Sequence, residues 1–302
     1  MTPFRTLNEA AGQVAAFTTA VRLGLLDRID REPATPAELA RTCGATERGV
    51  RVVLAALESF GFVERLSDGR YQPVLTGLAA LHPLLPLWEH LPESVRTGEP
   101  VYEITSPLAD VASLPPSVAF LSEVRGDIAD RVAAVLPEAK RVLDVGAGPA
   151  PWSVAYCGRN ANCRVTAVDM PTVLPATRRA ISRAGLTDRY EFVSGDVEMG
   201  AYDLIIVAQV CHLFDTATCT AMIRKLTRAL ADGGVLAIVD TLPGPGAAVQ
   251  ELSLYLRTRH GSMRPPEVYR EWLAEVGLGD VTGTDLPGEL SVTVVTGRKL
   301  GG

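Results

Sequence analysis

One stretch restricts the folds open to this 302-residue chain more than any other: Arg141-Val-Leu-Asp-Val-Gly-Ala-Gly-Pro-Ala150. It begins as an apolar run and turns at once into two glycines, Gly146 and Gly148, before a helical pattern from Pro151 to Tyr156. A buried strand running into glycines and then a helix is how an open α/β sheet builds a nucleotide pocket. Glycine permits the sharp turn, and its missing Cβ lets a ligand lie against backbone. The third glycine of the dinucleotide fingerprint is absent. Pro151 stands in its place, suited to the first turn of a helix. The loop therefore favours a nucleotide-like ligand without requiring a pyrophosphate.

Downstream, strand and helix patterns alternate. Strands are expected at 142–145, 164–168, 190–193, 202–210, 235–239 and 291–295. Helices are expected at 152–157, 173–184, 216–231, 247–259 and 266–276. Such alternation predicts a Rossmann-like, mostly parallel sheet with helices on both faces; seven strands are expected, one more than these six runs locate. Acidic residues fall where parallel strands end. Asp144 lies under the glycine loop, Asp169 follows the second strand at the spacing of a ribose-binding acid, and Asp196 follows the third within reach of an adenine edge. Any one of them alone reads as a loop carboxylate or helix cap. Three at successive strand ends do not.

The first 80 residues read differently. A helix over 8–29, interrupted at Gly24, presents Val14, Phe17, Val21 and Leu25 on one face. Thr35-Pro-Ala-Glu38 spells a capping box, and a helix over 46–60 buries Val50, Val53, Leu54 and Leu57. A hairpin then turns at Asp68-Gly69. Together these predict a mainly α winged-helix domain. Residues 1–80 carry nine arginines against nine acids. That balance argues against DNA binding, which concentrates positive charge on a recognition helix and wing. The whole chain has a net charge of −6, which argues against general nucleic-acid affinity.

Between the two regions, prolines interrupt residues 81–137. Short helices are expected there at 87–93 and 118–135. His82 and His90 read as packing or surface histidines, while Trp88 and Tyr102 fit either a substrate mouth or plain core. The expected division is thus 1–80, 81–137 and 138–302. Five cysteines form no CxxC pair, no metal ligand set is expected, and no apolar run is long enough for a bilayer. A cytoplasmic protein with no membrane partner is expected.

The chain resembles the S-adenosylmethionine-dependent small-molecule O-methyltransferases that include plant caffeate and bacterial polyketide enzymes. The matching stretches are Val142-Leu-Asp-Val-Gly-Ala-Gly148, Val168-Asp-Met-Pro171, Ala184-Gly-Leu-Thr-Asp-Arg189, Phe192-Val-Ser-Gly-Asp196, Cys211-His212 and Asp232-Gly-Gly-Val-Leu-Ala-Ile-Val-Asp240. Val95-Arg-Thr-Gly-Glu-Pro100 resembles the segment before the family's substrate helices. The resemblance implies S-adenosyl-L-methionine as cofactor, held by Asp144, Gly146, Gly148, Asp169, Met170, Asp196, Val197 and Gln209. It implies His212 as the base that takes a hydroxyl proton from a small, aromatic secondary metabolite, as in antibiotic biosynthesis, with Asp240 orienting it. A homodimer through the winged-helix domain is implied as well. Asp215 is expected only to cap the next helix.

Departures from the family pattern accompany the match. Met263 occupies the place of a second acid beside the base, and Ala208 and Gln209 replace polar or aromatic residues before His212. Residues 82–140, the substrate wall, are shorter than usual. Those departures leave a non-methylating relative, performing hydroxylation or rearrangement in the same pocket, as the alternative. A winged-helix DNA-binding regulator ranks below it, and a dehydrogenase using NAD ranks last.

Overall fold

The computed structural model of the protein describes residues 2–101, 126–195, 197, 202–244, 247–288 and 291–301. Contacts divide these into two units, the first running to Glu89. It opens with α1 (Pro3–Arg22) and α2 (Leu25–Arg31), separated at Gly24, whose φ of 70° is left-handed backbone that ends α1. The expected single helix is therefore two, and it starts earlier. Phe17 and Leu25 enter the core as expected, whereas Val14 is exposed together with Phe4 and Leu7.

Thr35 caps α3 (Pro36–Thr42): its hydroxyl accepts from Glu38 N, and the Glu38 carboxylate accepts from Thr35 N. Thr46 caps α4 (Glu47–Ser59), which buries Val50, Leu54 and Leu57. The hairpin of β1 (Val63–Arg65) and β2 (Tyr71–Pro73) turns at Gly69, at φ 84°. A 3-10 segment over Leu78–His90 follows, with Pro83 and Pro86 inside it. The proline lattice thus shifts the expected helix: α5 covers Leu91–Thr97.

The second unit holds α6 (Gly126–Val135) and a seven-stranded sheet. Tyr102 and residues 118–125 of the expected helix lie outside the described residues. The strands are β3 (Arg141–Val145), β4 (Arg164–Val168), β5 (Tyr190–Val193), β6 (Tyr202–Ala208), β7 (Leu230–Thr241), β8 (Leu278–Leu286) and β9 (Val292–Lys299). Their spatial order is β5-β4-β3-β6-β7-β9-β8. From β5 through β7 every neighbouring pair is parallel; β9 runs antiparallel to both β7 and β8. Strand β8 was not among the expected strands. Its interior carries Gly279, Asp280, Gly283 and Asp285, residues poor in strand propensity, and only its ends, Leu278 and Leu286, are buried.

Helices α7 (Pro151–Arg159), α8 (Leu174–Arg183), α9 (Thr216–Ala229), α10 (Ala248–Arg257) and α11 (Pro266–Glu275) complete the unit. Strand alternation sorts the sheet into two cores. Val142, Leu204, Ile206, Val235, Ala237 and Val239 meet α6 and α7 through Val132, Trp152 and Tyr156. Leu143, Ile205, Val207, Leu236 and Ile238 meet α9 and α11 through Ile223, Tyr269 and Trp272. With strands buried on both faces, apolar residues run continuously rather than alternating with polar ones. Among the described residues no helix is long and apolar enough to cross a membrane.

Candidate functional site

The sheet order reverses between β3 and β6. Successive strands β3, β4 and β5 step one way, and β6 returns to the other side of β3. A crevice opens at the carboxyl ends of strands at such a switch point. The glycine loop lies there, its turn closed by Gly146 N and Ala147 N, both donating to Val168 O. Gly146 has φ 65° and Gly148 φ 55°. A Cβ on Gly146 would stand 2.6 Å from Val210 Cγ2, whereas one on Gly148 would meet nothing within 4 Å. Ala150, also left-handed at φ 59°, leads into α7 at Pro151.

Asp169 ties the loop down. Its Oδ2 accepts from Gly148 N at 2.6 Å and its Oδ1 from Met170 N at 2.7 Å. Thr177 of α8 closes the ring by donating to Gly148 O at 2.6 Å. Burial raises the Asp169 carboxyl, and the two backbone donors act against that shift. A carboxylate offers about four acceptor positions, so each oxygen keeps capacity for a ribose hydroxyl. Asp144 lies one layer down. The alternation that sends Val142 toward α7 sends Asp144 there too, and Ser153 of α7 donates to its Oδ2 at 2.5 Å. Its Oδ1 is buried with no partner among the described residues.

Burial pushes the Asp144 carboxyl up to about 7, the negative charge of Asp169 adds to the rise, and Ser153 opposes it. The folded state therefore holds this proton to higher pH than the unfolded chain does, near 3.8. Its contribution to stability is full below the unfolded value and is lost as pH rises through about 7. Asp144→Asn removes that slope. Between pH 5 and 8 the variant is expected to gain about 2–3 kcal/mol on the wild type in urea unfolding, and parallel curves would refute it.

On the other side of the crevice, Gln209 follows β6 at φ 58°. A side-chain residue in this region is uncommon and marks local strain, which clusters at functional sites. Its Oε1 accepts from the Thr241 hydroxyl, which in turn accepts from Gln250, while its buried Nε2 has no partner among the described residues. Then comes a 3-10 turn, Cys211–Leu213, carrying His212. The β7 alternation that turns Leu236 and Ile238 toward α11 also turns Asp240 that way. Asp240 Oδ1 lies 2.5 Å from His212 Nδ1 and accepts from Thr241 N; Oδ2 accepts from His212 N at 3.1 Å and from Tyr269 OH at 3.0 Å. Both His212 and Asp240 are buried. A carboxylate can only accept, so Nδ1 carries the ring proton and the Nε2 lone pair is left over. Asp215 caps α9, accepting from Thr218 N.

The structure thus joins Gly148, Asp169 and Met170 directly, seats Asp144 beneath them, and joins His212 to Asp240. Val210 against Gly146 and Gln209 against Thr241 make these neighbouring parts of one crevice wall. Val197 is half-buried and packs on the α9/α11 side of the sheet, while Asp196 lies outside the described residues. Tyr269, Thr241, Ser153, Thr177 and Arg264 were not anticipated. Tyr269 reads in sequence as one more apolar-face position of α11. Its hydroxyl supplies a second side-chain partner for Asp240, while Met263, at the family's acidic place, contributes only its backbone N–H to Glu251.

These residues fit an adenosyl ligand: a cradle without Cβ atoms, an acid with spare acceptor capacity, and buried polar atoms left unsatisfied at its rim. The fold and crevice define a Rossmann-like nucleotide-binding enzyme with a histidine–carboxylate pair. Residues 122–278 match the O-methyltransferase domain, and residues 11–82 match the O-methyltransferase dimerisation domain. The tetracenomycin polyketide synthesis 8-O-methyl transferase of Streptomyces glaucescens is 25% identical, over 94% of this chain and 92% of that protein. A 3-hydroxy-5-methyl-1-naphthoate 3-O-methyltransferase of Streptomyces sahachiroi is 24% identical, over 94% and 91%. Human N-acetylserotonin methyltransferase, solved in complex with SAM, shares the fold with a TM-score of 0.77 at 19% identity, covering 100% of this chain and 99% of that one. The chain belongs to the O-methyltransferase family, whose members use S-adenosylmethionine.

Proposed function

We propose that the protein methylates a hydroxyl of a small aromatic secondary metabolite, with His212 as general base and Asp240 as its orienting partner. When bound, S-adenosylmethionine supplies an electrophilic methyl group on its sulfonium. Gly146, Gly148, Asp169, Met170 and Gln209 would hold it, with Asp144 beneath the loop, and Asp196 and Val197 are assigned to the adenine end. Methyl transfer is an in-line displacement, so the acceptor oxygen must be aligned and relieved of its proton. His212 takes that proton at Nε2, because Nδ1–H is committed to Asp240. The imidazolium so formed is stabilised by the buried carboxylate it already touches.

The single observation that carries this reading is the buried His212–Asp240 pair at the end of β6 and β7. The aromatic acceptor class is supported by the polyketide and naphthoate relatives alone. A homodimer through residues 1–80 is supported by the dimerisation-domain match and by Phe4, Leu7 and Val14, exposed on α1. Segment 81–137 is read as the substrate mouth and 138–302 as the catalytic domain.

Thermal denaturation tests the cofactor half of the reading. S-adenosylhomocysteine at a hundred times its Kd should add about 2.7 kcal/mol of stability, and NAD should add none. Lack of stabilisation by either sulfur nucleotide would sink the proposal.

A further inference from the structure

Arg264 is a buried cation between Met263 and α11. Its Nη1 donates to Cys211 O at 2.9 Å and to Ser262 O at 3.1 Å, and its Nη2 donates to Phe214 O at 2.6 Å. Cys211 and Phe214 bracket the 3-10 turn that carries His212. The guanidinium also lies over the Trp272 ring, 5.2 Å from its centroid, and Trp272 meets Tyr269 edge-on at 5.5 Å. Among the described residues no carboxylate makes a contact ion pair with it, and Asp215 feels its charge only at longer range. Burying an arginine is costly unless its donors are used, and here two of the three bonds go to the backbone of one short turn. A surface arginine would serve solubility equally well, so the burial calls for a function of its own.

Two further contacts close on the same turn. Gly261 approaches so nearly that a Cβ there would stand 2.7 Å from His212 O and would also run into Thr258 Oγ1. From the opposite side, Asp240 holds His212 through both its backbone N–H and its ring. Three residues per turn leave a 3-10 segment with poor internal hydrogen-bond geometry, and Leu213 N and Phe214 N supply only bonds of 3.0 and 3.4 Å within it. The turn depends on outside partners to hold its shape. The planar fork of arginine can span two carbonyls at once; a lysine ammonium, a point donor on a flexible stem, cannot hold that geometry.

We propose that Arg264 is a positioning residue for the reaction: its fork locks the Cys211–Phe214 turn so that the His212 ring meets Asp240 in the one orientation that leaves Nε2 free. The proposal rests on the reading of His212 as base, and it extends that reading to the element that aims the base. Trp272 and Tyr269, one helical turn apart on α11, carry the two halves of the support. Trp272 carries the guanidinium, and Tyr269 carries Asp240.

Proton NMR on histidine-labelled protein bound to S-adenosylhomocysteine tests this without any acceptor. The His212 Nδ1 proton, assigned by its loss in His212→Gln, should be strongly downfield and slow to exchange with water. Arg264→Met should speed its exchange by about tenfold or more, the scale of one lost charge-assisted hydrogen bond, while S-adenosylhomocysteine affinity stays at the wild-type value. Arg264→Lys, which keeps the charge and carries the same reading should Arg264→Met not fold, should behave like Arg264→Met. Trp272→Leu should show a smaller change in the same direction. A folded Arg264→Lys or Arg264→Met with wild-type exchange overturns the proposal. Because the resonance reports geometry alone, it stays informative if His212→Ala leaves methylation intact, a result that would remove the base assignment instead.

Discussion

Methyl transfer should fall by about 10²–10⁴-fold in His212→Ala, with S-adenosylhomocysteine affinity unchanged. The prediction follows from how the imidazole is held. Its Nδ1 faces a carboxylate oxygen at 2.5 Å, and its backbone N–H is bound to the other oxygen of the same group. Among the described residues nothing hydrogen-bonds Nε2. A histidine serving only to fill space beside β7 would need no such double attachment, and its loss would lower stability rather than turnover. Alanine leaves Asp240 with Thr241 N and Tyr269 OH, so the carboxylate keeps donors and the variant should fold. Single-turnover measurement with a phenolic acceptor separates the cases. Turnover within a factor of two or so of wild type would remove His212 from the chemistry; a matching loss of nucleotide binding would recast it as structural.

The largest effect on stability is expected at Gly146→Ala. Left-handed backbone costs a non-glycine residue ~1–2 kcal/mol, and this position has φ 65°. The added Cβ would also lie 2.6 Å from Val210 Cγ2, an overlap whose relief costs a further ~1–3 kcal/mol in a packed interior. Val210 cannot retreat easily. It is buried, it belongs to the cluster containing Val145 and Phe214, and it leads directly into the His212 turn. The sum corresponds to a fall in Tm of about 5–15 °C for a unit of this size, with stabilisation by S-adenosylhomocysteine weakened because the same shift distorts the cradle. Gly148→Ala is the control. It bears the backbone cost at φ 55° but meets no atom within 4 Å, so its Tm should fall by less than half as much. Equal losses in the two variants, or none in Gly146→Ala, would contradict the loop geometry.

Much of this molecule could be read along the chain. The capping box at Thr35 and Glu38, the Gly69 turn, the glycine loop and the acid at Asp169 each depend on residues within a few positions of one another, or on a single strand–helix–strand unit. Local rules of backbone geometry and hydrogen bonding therefore suffice for them. Strand β8 escaped because an edge strand buries little, so its glycines and aspartates cost it little and leave no apolar signal. Val14 escaped in the opposite sense. Periodicity placed it on the buried face of α1, but the helix has more apolar positions than this unit covers.

The support around His212 lay beyond any local rule. Tyr269 and Asp240 are 29 residues apart, and Arg264 reaches Cys211 across 53. Neither separation has a periodicity to betray it. Where the family pattern places a second acid, Met263 puts an apolar side chain. One residue on, folding turned Arg264 inward onto the histidine's own turn, and five further on it brought a hydroxyl onto Asp240. The shape of the glycine loop was set by short-range pattern, because such a loop is a property of a few consecutive dihedrals. How His212 is aimed was decided only when β7 and α11 packed, because orientation of a buried ring is fixed by contacts from several elements at once.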